Sequence, residues 1–454
     1  MSEIKFVDTS LRDGNQSLWD ATGFTTGAIL AVAPMADRVG FKVAEIASNS
    51  NLQTSVRYHR ENPWEKIRLV TKAMPHTLLS FGTTGRRFIG FQRAPDSILS
   101  LVLERMAANG IRQVWIIDAA HDMEIIHKNA RMAKAAGIEE FMVAMSFSIS
   151  PVHTDEYYTQ KTKEATQCPD VDTIYLKDQG GLLTPERIKT IVPAIQSNLN
   201  GRPLEIHSHC NTGLAPLAYL EAIRLGVDTV HTGVPPLANG TGQPSIFNIL
   251  KNIGYMGHSA TINREALDGM AAQLQKIAEK ENRPAGMPLE YDLSYYEHQV
   301  PGGMMTTMKR QLSESGMLHR LDEVLEEIIK VRKELGYPIM VTPFSQMVAT
   351  QATMNVVSGQ RYKVIPDGII EYAAGYFGEP PVPIDQNVLD KVHGQPNAKK
   401  IMNREFPQPS IQELRQKIGA GPDISDEEFL LRYALKDEDI DTMLAAGPIK
   451  TEYF

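Results

Sequence analysis

Eight short runs rich in β-branched and apolar residues recur along the first half of the chain, roughly 25 to 40 residues apart. They are IKFVDTS (4–10), KVAEIAS (42–48), LLSFGTT (78–84), QVWIIDA (113–119), EFMVAMSFS (140–148), TIYLKDQ (173–179), PLEIHSH (203–209) and TVHTGVP (229–235). That spacing leaves room for one strand, one loop and one helix per unit. Helix-like stretches fill the gaps, as in LAPLAYLEAIRLG, where Leu214, Leu217, Leu220 and Ile223 share one face and Gly226 closes the run. Thr184-Pro185-Glu186 reads as a helix start: a capping hydroxyl, proline at the first helical position, then an acid against the helix dipole. Eight such units predict an α/β fold, a closed (β/α)8 TIM barrel. An open doubly wound sheet would carry a glycine-rich nucleotide loop after its first strand, and neither GxGxxG there nor GxxxxGKS anywhere is found, so no nucleotide cofactor is expected.

From about residue 260 the pattern turns helical, in REALDGMAAQLQKIAEKE, LDEVLEEIIKVRKELG and SDEEFLLRYALKDEDIDTML, with Pro-rich connectors GEPPVPID and EFPQPS. The expected division is a barrel over 1–300 and a mainly helical C-terminal domain over 301–454 packed on it. The 46 Lys+Arg against 54 Asp+Glu give a formal charge of −8, which argues against a nucleic-acid surface. Two cysteines, Cys168 and Cys210, are too few for a disulfide framework. The N-terminus lacks a secretory pattern and no run is apolar enough to span a bilayer, so a cytoplasmic location is expected.

Barrel active sites lie where the strands end. Strand one runs into Thr9, Arg12, Asp13 and Gln16, strand six into Lys177-Asp178-Gln179, strand seven into His207-Ser208-His209, and strand eight into His231-Thr232. Period-2 alternation puts His207 and His209 on one face. Two imidazoles with a carboxylate such as Asp13 suit zinc, cobalt or manganese and leave positions open for substrate. Lys177 has three readings from residue type alone: a carbamate ligand formed with CO₂, a Schiff-base lysine, or a salt bridge to Asp178. Pro301-Gly302-Gly303 before Met304, Met305, Thr306 and Thr307 is either a close-approach element near a proton-carrying hydroxyl or a simple helix start. Arg86, Arg87 and Arg93 are candidates for an anionic substrate.

DTSLRDGNQSLWD (8–20), FSISPVHTDEYY (147–158), LKDQGGLLTPERI (176–188), HSHCNTGLA (207–215), PGGMMTTMKRQL (301–312), VTPFSQMVATQATMNVVSGQRYKVI (341–365) and GYFGEPPVPID (375–385) occur in that order. Together they resemble the HMG-CoA-lyase-like metal barrels, and within them the carboxyltransferase domains of pyruvate carboxylase, oxaloacetate decarboxylase α subunit and transcarboxylase. The resemblance implies a metal held by Asp13, carboxylated Lys177, His207 and His209, with zinc first and cobalt or manganese as alternatives. It implies that Arg12 and Gln16 contact a 2-oxo acid of the pyruvate or oxaloacetate kind. Thr306 would carry a proton between the biotin ring nitrogen and the substrate enol, a metal-stabilised enolate being the nucleophile.

Four departures fall at the expected pocket. Thr84 stands where the family has an arginine, which makes Arg86 and Arg87 the substitutes, and Gly90-Phe91 replaces Gly-Tyr. His121 occupies an amide position and is taken as substrate-binding. Gln179-Gly180 replaces Met-Ala, and Cys210-Asn211 replaces an acid or small residues. No Ala/Val-Met-Lys-Met tetrapeptide is present. Biotin is therefore expected on a separate biotin carboxyl carrier protein, together with a biotin carboxylase or a membrane decarboxylase subunit. A homodimer is expected by family analogy. The alternative is a biotin-independent metal-dependent 2-oxo acid lyase, a decarboxylase or aldolase on the same barrel.

Overall fold

In the computed structural model, which describes residues 2–90 and 92–454, each of the eight runs contains a strand. They are β1 (Lys5–Asp8), β2 (Val43–Ser48), β3 (Leu78–Thr84), β4 (Gln113–Ile117), β5 (Glu140–Ser146), β6 (Thr173–Asp178), β7 (Leu204–Ser208) and β8 (Thr229–Thr232). All pairings are parallel, and β8 closes on β1 with Val7 opposite His231, completing the TIM barrel. Strand parity carries the polar side chains inward, and the β6–β7 register sets Lys177 beside His207.

The helix after β6 starts as the sequence predicts. Thr184 caps the helix Pro185–Gln196 by accepting from Arg187 N at 3.1 Å, with Pro185 in the first turn. The helix Ala215–Arg224 departs from its expected face. It buries Ala215, Ala218, Tyr219, Ala222 and Ile223, whereas Leu217 is 53% exposed. Small residues let this helix approach the strands closely. Tyr219 Oη can then accept from Ser208 N (2.9 Å) and donate to His231 O (2.7 Å), pinning the ends of β7 and β8. A hydrogen-bonded tyrosine outweighs a leucine stripe here.

Two hydrophobic clusters organise the rest. The first joins the outside of the barrel to its helices, and it includes both the helix Arg264–Lys280 and the tail residues Phe429, Leu430, Leu431, Ile440 and Met443. The second runs from Val300 to Ile401 and takes in Trp115, Met142, Ala144 and Tyr175 from the barrel interior, so this helical layer sits over the mouth on the β4–β6 side. Arg332 clamps the layer down. It is buried and donates to Pro338 O (3.1 Å), Ser148 Oγ (2.9 Å) and Ile149 O (3.0 Å), and burial pushes its guanidinium down to about 10. Arg332→Met strips a charged donor from three acceptors and is expected to cost about 3 kcal/mol of unfolding free energy in a urea titration. An unchanged midpoint would remove Arg332 from this role. Among the described residues, no helix is long and apolar enough to cross a membrane.

Candidate active site at the barrel mouth

The chain leaves β1 through a single π-helical turn, Ser10–Gly14, whose wide pitch turns Arg12 and Asp13 together into the mouth. Gly14 is required there, because a Cβ would lie 2.8 Å from Leu237 O. Arg12 Nη2 donates to Asp13 Oδ2 at 2.9 Å, and Arg12 Nε donates to Glu45 Oε2 at 2.8 Å. Asp13 Oδ1 accepts from Ser17 Oγ at 3.1 Å. Asp13 Oδ2 stands 3.3 Å from His207 Nε2 and 3.8 Å from His209 Nε2, and the two imidazole nitrogens are 3.3 Å apart. Donors about 2.1 Å from one tetrahedral ion lie about 3.4 Å from each other. Asp13, His207 and His209 therefore form a buried cluster of the right size and chemistry for one divalent ion.

Lys177 Nζ lies 3.0 Å from His207 Nε2 and 3.7 Å from Asp13 Oδ2. It does not pair with Asp178, which faces away and accepts from Leu182 N (2.9 Å), Leu183 N (2.8 Å) and Ser208 Oγ (2.7 Å) to shape the following loop. Burial pushes the Lys177 amine down to about 8, more than Asp13 can offset. Burial also drives His207 and His209 below their ordinary values. Burial raises Asp13, but Arg12, His209 and Lys177 outweigh it and hold this carboxyl well below the usual range. A carboxylate beside neutral imidazoles is the protonation state that metal binding requires.

Gln243 is not among the residues the sequence singles out; it lies in a loop whose glycines give only a weak signal. Its Nε2 is 3.2 Å from both His207 Nε2 and His209 Nε2, while its Oε1 accepts from Thr9 Oγ1 at 2.9 Å. Trp115 forms one wall, with Arg12 4.7 Å and Lys177 5.3 Å from its ring centre. Behind the ligands, His231 Nδ1 lies 3.3 Å from His207 Nδ1, and His231 Nε2 lies 2.8 Å from Glu205 Oε2. The signal that could have found Glu45 and Glu205 is an acid inside an apolar strand, Glu205 at the same parity as His207 and His209.

The other predicted residues are more scattered. Gln16 is exposed on the short helix Asn15–Leu18. Thr306 is exposed on the helix Gly302–Glu314, one turn beyond Gly302 and on the same face. A Cβ on Gly302 would meet Asn211 Oδ1 at 2.4 Å and Thr241 Cγ2 at 2.6 Å, and Thr241 O is 2.6 Å from His209 Nδ1. The glycine thus both begins the helix and seats it beside the His209 loop. Arg86 donates to Asp118 (3.1 Å) and Asp122 (2.5 Å). Arg86 and the buried Arg87 line a small, partly open pocket with Thr84, Thr342, Phe344 and Phe377. Arg93 lies instead over the Phe406 ring.

His121 is not brought to the cluster. Its Nε2 accepts from Ser146 N at 2.9 Å and its Nδ1 is 2.9 Å from Tyr157 Oη. Both nitrogens are engaged in plugging the sheet where β4 leaves it. The Cys210 thiol is buried and pushed up by that burial. Phe91, half of the Gly90-Phe91 departure, lies outside the described residues.

The HMGL-like family matches residues 3–273, and a conserved carboxylase domain matches residues 295–446. A pyruvate carboxylase subunit of Methanocaldococcus jannaschii is 34% identical over 453 residues, covering 99% of this chain and 79% of that protein. The methylmalonyl-CoA carboxyltransferase 5S subunit of Propionibacterium freudenreichii subsp. shermanii is 30% identical, covering 88% and 79% respectively. The carboxyl transferase domain of Rhizobium etli pyruvate carboxylase, solved with pyruvate, superposes with a TM-score of 0.88 over 98% of this chain and 77% of that one; at 21% identity this establishes the shared fold. The chain therefore belongs to the HMGL-like carboxyltransferases of the biotin-dependent pyruvate carboxylase and transcarboxylase family, and it is an enzyme subunit of that family.

Proposed function

We propose that this subunit moves a carboxyl group between carboxybiotin, borne on a separate biotin carboxyl carrier protein, and a 2-oxo acid of the pyruvate or oxaloacetate kind. The observation that carries this reading is the buried Asp13–His207–His209 cluster, with Lys177 and Arg12 against it, at the barrel mouth of a chain related to the archaeal pyruvate carboxylase subunit. A divalent ion held by Asp13, His207, His209 and a carboxylated Lys177 would supply positive charge to the enolate oxygen, zinc being the first choice and cobalt or manganese the alternatives. Arg12 holds and orients the acid carboxylate, with Gln16, Arg86 and Arg87 further out. Thr306 Oγ takes a proton from the carbon next to the substrate carbonyl and delivers it to the biotin nitrogen as CO₂ leaves. The resulting carbanion then forms the new C–C bond to that CO₂. The helical layer over the mouth excludes water that would otherwise protonate the carbanion.

Two successive family matches, over 3–273 and 295–446, support a two-unit chain, read as a barrel over 1–300 and a helical unit over 301–454. A homodimer, working with a biotin carboxylase or a membrane decarboxylase subunit, is the assembly the family pattern favours.

The deciding assay is oxaloacetate decarboxylation with and without free biotin. Turnover only with biotin is expected; equal turnover without it would favour the biotin-independent lyase. The role of Lys177 has its own signature. Its amine adds CO₂ only when neutral, losing a proton as the N–C bond forms. At fixed dissolved CO₂, the rate at which CO₂ converts metal-stripped protein to a form that becomes active when divalent ion is restored should rise about tenfold per pH unit to about pH 8, then level. A rise continuing toward the pH of an ordinary lysine would contradict a carbamate formed at this buried amine.

A further inference from the structure

The cluster at the mouth is tied to the opposite end of the barrel by a single file of hydrogen-bonding groups. His207 Nδ1 faces His231 Nδ1 at 3.3 Å, and His231 Nε2 faces Glu205 Oε2 at 2.8 Å. Glu205 Oε1 in turn receives Lys42, whose side chain enters from the N-terminal end and is 25% exposed. Lys42 also donates to Glu140 at 3.3 Å, and Glu140 is held by Gln113 (2.9 Å) and Thr173 (2.6 Å). Glu205, His207 and His231 are buried, and the His231 ring lies flat on Tyr175 at 5.5 Å with 7° between planes.

With His231 as the neutral imidazole, this file runs in one direction. An ionised carboxylate accepts and never donates, and an ammonium donates and never accepts. Glu205, receiving Lys42 on one oxygen, therefore accepts from His231 on the other, which puts the proton of neutral His231 on Nε2. His231 Nδ1 is then a bare acceptor, so His207 must carry its proton on Nδ1. His207 Nε2 is left with its lone pair directed into the cluster, where Lys177 Nζ (3.0 Å) and the Gln243 amide (3.2 Å) are donors to it. Glu45 does not compete as a hydrogen-bond partner of His231: its Oε1 is 3.7 Å from His231 Nδ1, too far for a hydrogen bond, and its other oxygen is occupied by Arg12.

We infer that His231 and Glu205, oriented by Lys42, are positioning residues that hold His207 in the Nδ1–H tautomer and so aim its Nε2 at a divalent cation. The inference rests on the reading of Asp13, His207 and His209 as a metal site. It adds that the ligating power of this site is set from the far end of the barrel. Partners that orient a ligating histidine typically govern about 10–100-fold of metal affinity.

Glu205→Gln tests this, because the amide has one donor end and one acceptor end. Lys42 demands the acceptor, which turns the NH₂ toward His231 and reverses the file: His231 Nδ1 becomes the donor, and His207 is protonated on Nε2. In Lys42→Met/Glu205→Gln the demand is gone, and the amide oxygen can face His231 again. His231→Phe keeps the ring on Tyr175 but removes the acceptor, and serves if Glu205→Gln does not fold. The readouts are the ¹⁵N shifts of His207 in histidine-labelled metal-free protein and Co²⁺ affinity by chelator competition, with Asp13→Ala as control.

The expected result is a reversed His207 tautomer and a 10–100-fold weaker Co²⁺ affinity in Glu205→Gln. Both should return in the double variant, and His231→Phe should lose affinity without a defined His207 tautomer. An unmoved tautomer, an unmoved affinity in a wild type that binds Co²⁺, or a double variant no better than the single one overturns the inference. Should wild type and Asp13→Ala bind Co²⁺ alike, the metal site itself is misassigned, and the tautomer readout alone decides whether the file sets His207.

Discussion

Asp13→Ala is expected to lower carboxyl transfer about a thousandfold and to remove the bound divalent ion, while the barrel remains folded. Asp13 is the only carboxylate of its cluster that faces both His207 and His209, and its charge is already stabilised by Arg12, His209 and Lys177. Without it, the site loses one ligand and the negative charge that offsets the Arg12 guanidinium, which weakens its hold on a cation. Losing charge stabilisation at the enolate oxygen typically costs about 10²–10³ in kcat, and losing the ion costs at least as much. Lys177→Ala should fall comparably. If the lysine serves as a carbamate, a small carboxylate such as acetate should partly rescue Lys177→Ala, since it can supply the missing anionic oxygen, and should not rescue Asp13→Ala to the same degree. Metal content by elemental analysis and oxaloacetate decarboxylation with biotin are the measurements. More than a tenth of wild-type activity in metal-free Asp13→Ala would refute the assignment.

Gly82→Ala carries the second large effect, and it is steric. A Cβ on Gly82 would lie 1.9 Å from Trp115 Cζ2, 2.3 Å from Cη2 and 2.4 Å from Cε2. The indole is a rigid, buried ring rather than the end of a flexible chain, and β3 is held on both sides by β2 and β4. Either the strand shifts or the indole is driven toward Arg12 and Lys177. Overpacking a dense core usually costs about 1–3 kcal/mol, and about 3 kcal/mol or more is expected where neither partner can yield. Both the urea midpoint and the activity should drop. Trp115→Leu in the Gly82→Ala background vacates the clash and should recover most of the stability but not the activity, because the wall beside Arg12 and Lys177 is gone. A double-mutant cycle with no coupling would show that the ring does not need this glycine.

The difference between these two positions shows how much can be read from the chain. The eight strands are legible because strand character is written locally, in β-branched runs of the right length and spacing. The pairing of His207 with His209 is equally legible, since side chains two apart on a strand share a face whatever surrounds them. Lys177 is visible as an ionisable residue at a strand end, but its partner stays open until β6 and β7 come into register and turn Asp178 to the other side. The buried face of the helix Ala215–Arg224 is not the one its leucines suggest, because a hydrophobic stripe does not report that Tyr219 must reach two strand ends.

What the sequence by itself determined is the opening rhythm: eight βα units, and a mouth carrying Asp13, Lys177, His207 and His209. Only the tertiary structure decided which of the remaining polar residues meet them. Closure of β8 on β1 places His231 behind His207, and a return loop delivers Gln243 from more than thirty residues away. The β4–β5 side meanwhile holds His121 by Ser146 N and Tyr157 Oη, apart from the Asp13–His207–His209 cluster. The physical reason is one of range. Strand parity and capping are set by covalent neighbours, whereas convergence depends on barrel shear and loop paths, to which every segment contributes.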